Sequence, residues 1–478
     1  MIGILFTQMN NCTNTKIIAT IGPSCDKKNI LEEMISSGVN IFRLNMSHGD
    51  ESSKKHLYNL VKSLKLEDGS RPTILTDLAG PKIRVTGVRN GFKLSEGQSV
   101  LITNKAIFDK DEIQVTNGIE FNNLRKGAKI LINDGKVQLE ATQIVSTNSI
   151  RCKTLIGGEI KERKGVNFPG VSIDTPSLTQ EDIADLKIAL EEGADWIALS
   201  FVRSEKDILA IHKIMDEIGN RIPIMAKIEK WEALENLSSI ANVFDGIMVA
   251  RGDLGVEIPA EQVPLAQKRI INIAAALGKP VVIATQLLES MLDSKTPTRA
   301  EVSDIANAIY DSADALMVTG ETAIGKYPID VIKTLKLVII EVEKSVNSSR
   351  SSLPEEVNKT ADAISHAVCQ IAKDLDIDLI MTMTHSGSTA RMISRYRPKG
   401  KVFALTPFNL IMRQLRIIWG VIPIKVDNYN NIDEIPRLCI NVLNGLGQIK
   451  KGDKFVITGG VPMGVEGTTN YLSVLTNN

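Results

Sequence analysis

Fixed cations and carboxylates recur just after short apolar runs in this sequence. Arg43, Asn45, Ser47 and His48 close one such run, and Asp77 ends the next. Lys227 and Glu229 close a later one. Arg251, Gly252 and Asp253 follow, then Thr285 and Gln286, and finally Glu321. Cations that hold a phosphate, beside carboxylates that hold a hard dication, suit a magnesium-assisted reaction of a phosphorylated anion. Lys227 and Glu229 are spaced so that on a strand they share a face, where a substrate anion and a metal would sit side by side.

Each motif alone also has a plainer reading. Lys227 and Glu229 would equally make a salt bridge at a strand end. The segment MVARGDLG (248–255) would form a turn with Asp253 capping a helix, and RLNMSHG (43–49) a strand end capped by Ser47. GETAIGKY (320–327) nearly fits a nucleotide P-loop, but Tyr327 stands where Ser or Thr must ligate magnesium, and Pro328 follows. THSGSTA (384–390) puts hydroxyls and glycine before a helical segment, which suits either a bound anion or ordinary N-capping.

Elements that position these residues follow from hydrophobic patterning. Eight short apolar runs, at 16–22, 40–46, 72–78, 196–202, 222–228, 246–252, 280–286 and 315–321, read as strands covered on both faces. Helix-length amphipathic segments such as 263–278 separate most of them, so the expected class is α/β, a (β/α)₈ TIM barrel with the rim residues at the C-terminal strand ends. The stretch from Pro81 to Pro176 is Gly-rich with short β-type runs and is too long for a barrel loop, so it reads as an inserted all-β lid domain. The polar, Ser-rich segment 342–357 reads as a linker, and four apolar runs beyond it as strands of a C-terminal open α/β domain. The expected organisation is barrel 1–80, lid 81–176, barrel 177–345 and C-terminal domain 346–478.

Composition narrows the class. The chain has 478 residues, and Lys+Arg and Asp+Glu both total 56, which argues against an electrostatic nucleic-acid binder. Five cysteines, Cys12, Cys25, Cys152, Cys369 and Cys439, make no CxxC pair, so neither a disulfide framework nor a zinc site is expected. The apolar stretch at the start lacks a preceding basic region, so no signal peptide is expected. No uncharged apolar run approaches the roughly 18 residues of a membrane span. A cytoplasmic location with no membrane partner is the expectation.

Taken in order, IATIGPS, FRLNMSHG, DLAGPKIR, KGVNFPG, AKIEK, VARGDLGVEIP, ATQLLESM, PTRAEVSDIANAIYD and GETAIGKYP resemble the pyruvate kinase family across residues 18 to 328. The resemblance implies transfer of the phosphoenolpyruvate phosphoryl group to ADP, giving pyruvate and ATP in the last step of glycolysis. It implies that Glu229 and Asp253 hold magnesium, with manganese as an alternative ion. Lys227 would stabilise the phosphoryl group in flight and Arg43 would bind its phosphate. Gly252, Asp253 and Thr285 would line the substrate end. Asn45, Ser47, His48, Arg84 and Lys164 would contact the nucleotide, and Glu321 would join a water network that protonates the enolate. A homotetramer is implied as well.

One departure bears on potassium. Many family members carry Thr directly after the Asp of the third strand and Glu four residues on; here Leu78 and Lys82 stand there. Lys82 is expected to supply the cation beside Asn45, Ser47 and Asp77, which makes potassium dispensable. Thr384, Ser386, Ser388 and Thr389 resemble the family's effector phosphate loop, for a sugar phosphate or a nucleotide. Two rivals remain: a magnesium enolate lyase on the same barrel, which has no need of Lys227 or the lid, and a non-catalytic metabolite sensor.

Overall fold

The computed structural model describes residues 13–105, 111–116, 119–345, 360–429, 431–462 and 467–478. Cys12, the start of the chain and most of the expected linker lie outside them. Eight parallel strands form a closed barrel: Lys16–Thr20, Ile41–Asn45, Thr73–Asp77, Trp196–Leu199, Ile224–Ile228, Gly246–Ala250, Val281–Ala284 and Ala315–Val318. They are numbered one to eight below. Closure is parallel, with Lys16 opposite Ala315.

Alternation along each strand sorts the side chains. Ile17, Phe42, Ile74, Ile197 and Ile224 point into the cluster shared with the outer helices. Ile18, Ile41, Leu75, Ala198 and Met225 fill the barrel interior. Two residues further along the interior row stand Thr20, Arg43, Asp77, Ser200 and Lys227. The lumen therefore turns from apolar to polar at one level on five successive strands, three of the five positions being charged, and this is where the chemistry sits.

Strand three leads into an all-β insertion. A seven-stranded sheet runs from Val85–Gly87 to Val166–Asn167, with a two-stranded ribbon of Lys93–Leu94 and Gly158–Glu159 beside it. It encloses its own core, including Val100, Ile102, Phe121 and Phe168. No helix occurs among its described residues. Its return to the barrel is tied down by Arg203, whose guanidinium donates to the carbonyls of Ile173 (3.2 Å) and Thr175 (2.5 Å).

The C-terminal sheet has five strands in the order Val421–Lys425, Lys401–Thr406, Leu379–Met383, Lys454–Gly460 and Thr469–Thr476. The last is antiparallel and was not expected. Its residues alternate between polar and apolar on an edge, so it lacks the continuous apolar run of its neighbours. One boundary also needs correction. Val342–Ser345 end the helix Pro328–Ser345 rather than begin a linker, because Val342 is buried against the barrel helices.

Among the described residues no helix is long and apolar enough to cross a membrane. Cys25, Cys152, Cys369 and Cys439 are free. Burial pushes Cys25 up to about 11 and the other three up to about 12, which leaves them protonated and unreactive.

Candidate active site

Strand register brings the charged row together. Asn45 pairs with Asp77, and Ala198 pairs with Asp77 from the other side, so strands two, three and four end side by side. Asp77 is 1 % exposed and sits between two cations. Arg43 donates to its Oδ2 through Nε at 2.7 Å, and Lys227 Nζ lies 3.0 Å from Oδ1. Arg43 also donates to Thr20 Oγ1 at 3.1 Å. Burial by itself would raise the Asp77 carboxyl, but Lys227 and Arg43 outweigh it and hold the group below the usual carboxylate range.

Lys227 in turn faces two carboxylates. Its ammonium is 3.0 Å from both Asp77 and Glu229. Burial disfavours the charge, yet Asp77 and Glu229 raise the lysine above its ordinary value, so it stays an ammonium. Glu229 is 2 % exposed and behaves oppositely. Burial pushes its carboxyl up, Lys227 opposes this, and the nearby carboxylates Asp253 and Asp77 push it further up. Lys227 therefore offsets only part of the cost of burying this carboxylate beside its acidic neighbours.

Asp253 stands in the first turn of the helix Arg251–Glu257. Its Oδ1 is 2.5 Å from Lys82 Nζ, with both side chains partly exposed at the barrel mouth. Lys82 was expected beside Asp77, Asn45 and Ser47; the structure places its ammonium on Asp253, since Arg43 and Lys227 already occupy Asp77. Glu229 and Asp253 are hard oxygen donors, one of them destabilised by the other's charge, and they fit a small dication that keeps positions open for substrate. Among the described residues no group of three or more His, Cys, Asp or Glu side chains is arranged to hold a metal.

Thr285 and Gln286 both adopt left-handed backbone, at φ 67° and 55°. That conformation turns their carbonyls toward Arg251, whose Nη2 accepts neither but donates to both, at 2.8 and 3.2 Å. Thr285 Oγ1 receives the Gly252 N–H at 2.9 Å. The hydroxyl and the Gly252 backbone are thereby brought together.

The remaining expected residues fall into two groups. Asn45, Ser47 and His48 share one loop, where Asn45 Oδ1 accepts the Ser47 N–H at 3.1 Å and His48 is exposed. Arg84 and Lys164 meet across the base of the lid, where Arg84 forms a bridge with Gly165 and donates to the Arg163 carbonyl. Glu321 is different. It is buried, and its oxygens are occupied by the N–H groups of Leu288 (3.1 Å) and Thr319 (2.7 Å). It braces the loops that follow strands seven and eight. Ser200 was missed, although continuing the alternation Trp196–Ala198 one step further would have found it.

In the C-terminal domain, Thr384, Ser386, Ser388 and Thr389 line one pocket together with His385, Tyr429 and Gly460. Thr384 Oγ1 caps the Gly387 N–H at 2.8 Å, and Thr389 pairs with Thr469 at 2.9 Å.

The chain is similar to known proteins in sequence and fold. The family described as pyruvate kinase, barrel domain, matches residues 12–332, and that described as pyruvate kinase, alpha/beta domain, matches residues 362–475. Pyruvate kinase 2 of a Synechocystis species is 40% identical over 471 residues, covering 96% of this chain and 78% of the relative. A pyruvate kinase of Staphylococcus saprophyticus is 39% identical over 469 residues, covering 96% and 80%. The crystal structure of a pyruvate kinase from Cryptosporidium parvum superposes with a TM-score of 0.90 at 33% identity, over 98% of this chain and 97% of that one.

Proposed function

The chain belongs to the pyruvate kinase family, and from that premise we propose which of its residues carry the reaction. It is a phosphotransferase that moves the phosphoryl group of phosphoenolpyruvate to ADP. The observation that carries the assignment is the buried Lys227 ammonium, held between Asp77 and Glu229 at the barrel mouth beside Arg43.

A loose, metaphosphate-like transfer asks the protein for positioning and fixed positive charge. Arg43 binds the substrate phosphate with its remaining N–H groups. Lys227 stays protonated throughout and faces the group in flight. The backbone around Gly252 and the hydroxyl of Thr285 orient the carboxylate and enolate end. Glu229 and Asp253 hold the magnesium, with manganese as an alternative. When bound, that ion would supply Lewis-acid charge to the substrate. Asn45, Ser47, His48, Arg84 and Lys164 form the nucleotide side, and the lid that carries Arg84 and Lys164 excludes water as it closes.

Potassium is dispensable in this reading. Leu78 offers no hydroxyl, and Lys82 brings an ammonium to Asp253 from within the chain. Turnover in sodium-only or choline buffer, coupled to ADP consumption, is expected to match that in potassium buffer; a large loss restored by potassium would refute this. Lys227→Met is expected to abolish ADP-dependent turnover with folding intact.

Thr384, Ser386, Ser388 and Thr389 form an effector phosphate site, supported by the pocket they line. Titration with sugar phosphates and AMP should shift the phosphoenolpyruvate saturation curve; an unmoved curve with every compound would make the loop an ordinary cap. The enzyme works in the cytoplasm as a homotetramer, a reading that sedimentation tests.

A further inference from the structure

Strand four contributes none of the residues assigned above, yet its end touches two of them. Ser200 continues the interior row of Trp196 and Ala198 and is 2 % exposed. Its Oγ lies 2.7 Å from Lys227 Nζ and 2.7 Å from the Leu78 carbonyl. An ammonium only donates, so an oxygen lone pair faces Lys227, and the hydroxyl proton goes to the Leu78 carbonyl at 2.7 Å in preference to Asp77 Oδ1 at 3.4 Å. Lys227 thus donates to Asp77 (3.0 Å) and Ser200 (2.7 Å), with Glu229 beside it as an ion pair at 3.0 Å. Ser200 is the one neutral partner. It fixes the direction of the ammonium without offsetting any of its charge.

The next residue bears on Glu229. Phe201 has φ 56°, a left-handed backbone rare for a bulky side chain. In that conformation its N–H points at Glu229 Oε2, 2.8 Å away. Its ring lies 5.8 Å from the Lys82 ammonium that pairs with Asp253. Gly80 (φ 71°) makes room: a Cβ there would come within 2.7 Å of Ser200 Cβ and 2.8 Å of the Phe201 ring. Strained backbone at such a place points to a functional demand.

We propose that the Ser200–Phe201 turn is the positioning element of the reaction centre, with Ser200 aiming the Lys227 ammonium and the left-handed Phe201 N–H aiming the Glu229 carboxylate. This rests on the assignment of Lys227 and Glu229 to the phosphoryl transfer. Ser200→Ala should lower kcat roughly 100-fold, the effect of misplacing a catalytic group by about an ångström. Its KM for phosphoenolpyruvate and its Mn²⁺ stoichiometry and affinity should stay near those of the parent. Ser200→Cys, nearly the same shape but a weak acceptor, should fall between and serves if the alanine variant does not fold.

Phe201→Gly and Phe201→Val both remove the ring but differ in backbone preference. Glycine enters the left-handed region freely and a β-branched residue does not. Direct Mn²⁺ titration should find Phe201→Gly within about threefold of the parent and Phe201→Val weakened by roughly tenfold or more. Phe201→Ala replaces the valine variant if that one misfolds. A serine variant with kcat within twofold of the parent, or equal Mn²⁺ affinity in the glycine and valine variants, overturns the proposal. Lys227→Met is the control: turnover in it would refute the underlying assignment, whereas an inactive Lys227→Met beside a fully active Ser200→Ala would refute the positioning role alone.

Discussion

Lys82 shows how one side chain changes the charge balance of a site. Glu229, Asp253 and Asp77 bring three carboxylates into mutual range, and Lys227 and Arg43 are both committed to Asp77. The ammonium on Asp253 is the third cation of this set. Lys82→Met should therefore cost activity in potassium-free buffer by roughly fivefold, one partly screened charge contact being worth about 1 kcal/mol. Steady-state rates of parent and variant in sodium-only buffer check this; equal rates would leave Lys82 without a role. At this scale the sequence was legible where residue type was unusual for a strand end, as at Arg43, Asp77, Lys227 and Glu229. It was not legible at Ser200, a common residue after an apolar run. At Glu321 residue type left the partners open, because a buried carboxylate bonded to backbone N–H groups looks the same in sequence as one that faces a substrate.

Elements transmit geometry to that site through a chain of contacts. The helix Arg299–Tyr310 begins with a capping box between Thr298 and Glu301 and carries Asp304 one turn further on. Asp304 receives Arg251 Nη1 at 2.6 and 2.9 Å, and the other arm of the same guanidinium holds the carbonyls of Thr285 and Gln286. A planar fork can serve a carboxylate and two carbonyls at once, and a lysine cannot. Arg251→Lys should release the left-handed turn, move the Thr285 hydroxyl off the Gly252 N–H, and lower kcat/KM for phosphoenolpyruvate by roughly tenfold to 100-fold. An unchanged kcat/KM would show that strand seven holds the turn without help. The eight barrel strands were legible because burial on both faces demands continuous apolar runs. The backbone reversal at Thr285 and Gln286 was not, since neither residue type advertises a positive φ.

Across the whole molecule, the C-terminal domain closes the end of the barrel opposite the reaction. Ile18, Leu75 and Met248 of the lumen share one continuous apolar cluster with Val368, Ile380 and Val402. Arginines stitch its rim: Arg413 and Arg71 converge on Asp195, Arg416 reaches Asp68, and Arg397 reaches Asp314. None of these pairs could be read from spacing, because partners far apart in sequence carry no periodic signal. The Arg397–Asp314 pair is the most informative one to break. Both side chains are below 10 % exposed, and Asp314 also accepts N–H groups from Val281 (2.9 Å) and Trp419 (3.1 Å). Removing the guanidinium strands a buried carboxylate, a loss of about 3 kcal/mol at the low end for such pairs because those two N–H groups remain. Asp314 precedes strand eight, at the end of the barrel away from Lys227. Arg397→Met is therefore expected to lower the Tm by several degrees while leaving the phosphoenolpyruvate KM near the parent value. A shifted KM at unchanged Tm would mean instead that this junction carries a signal between the C-terminal domain and the barrel mouth.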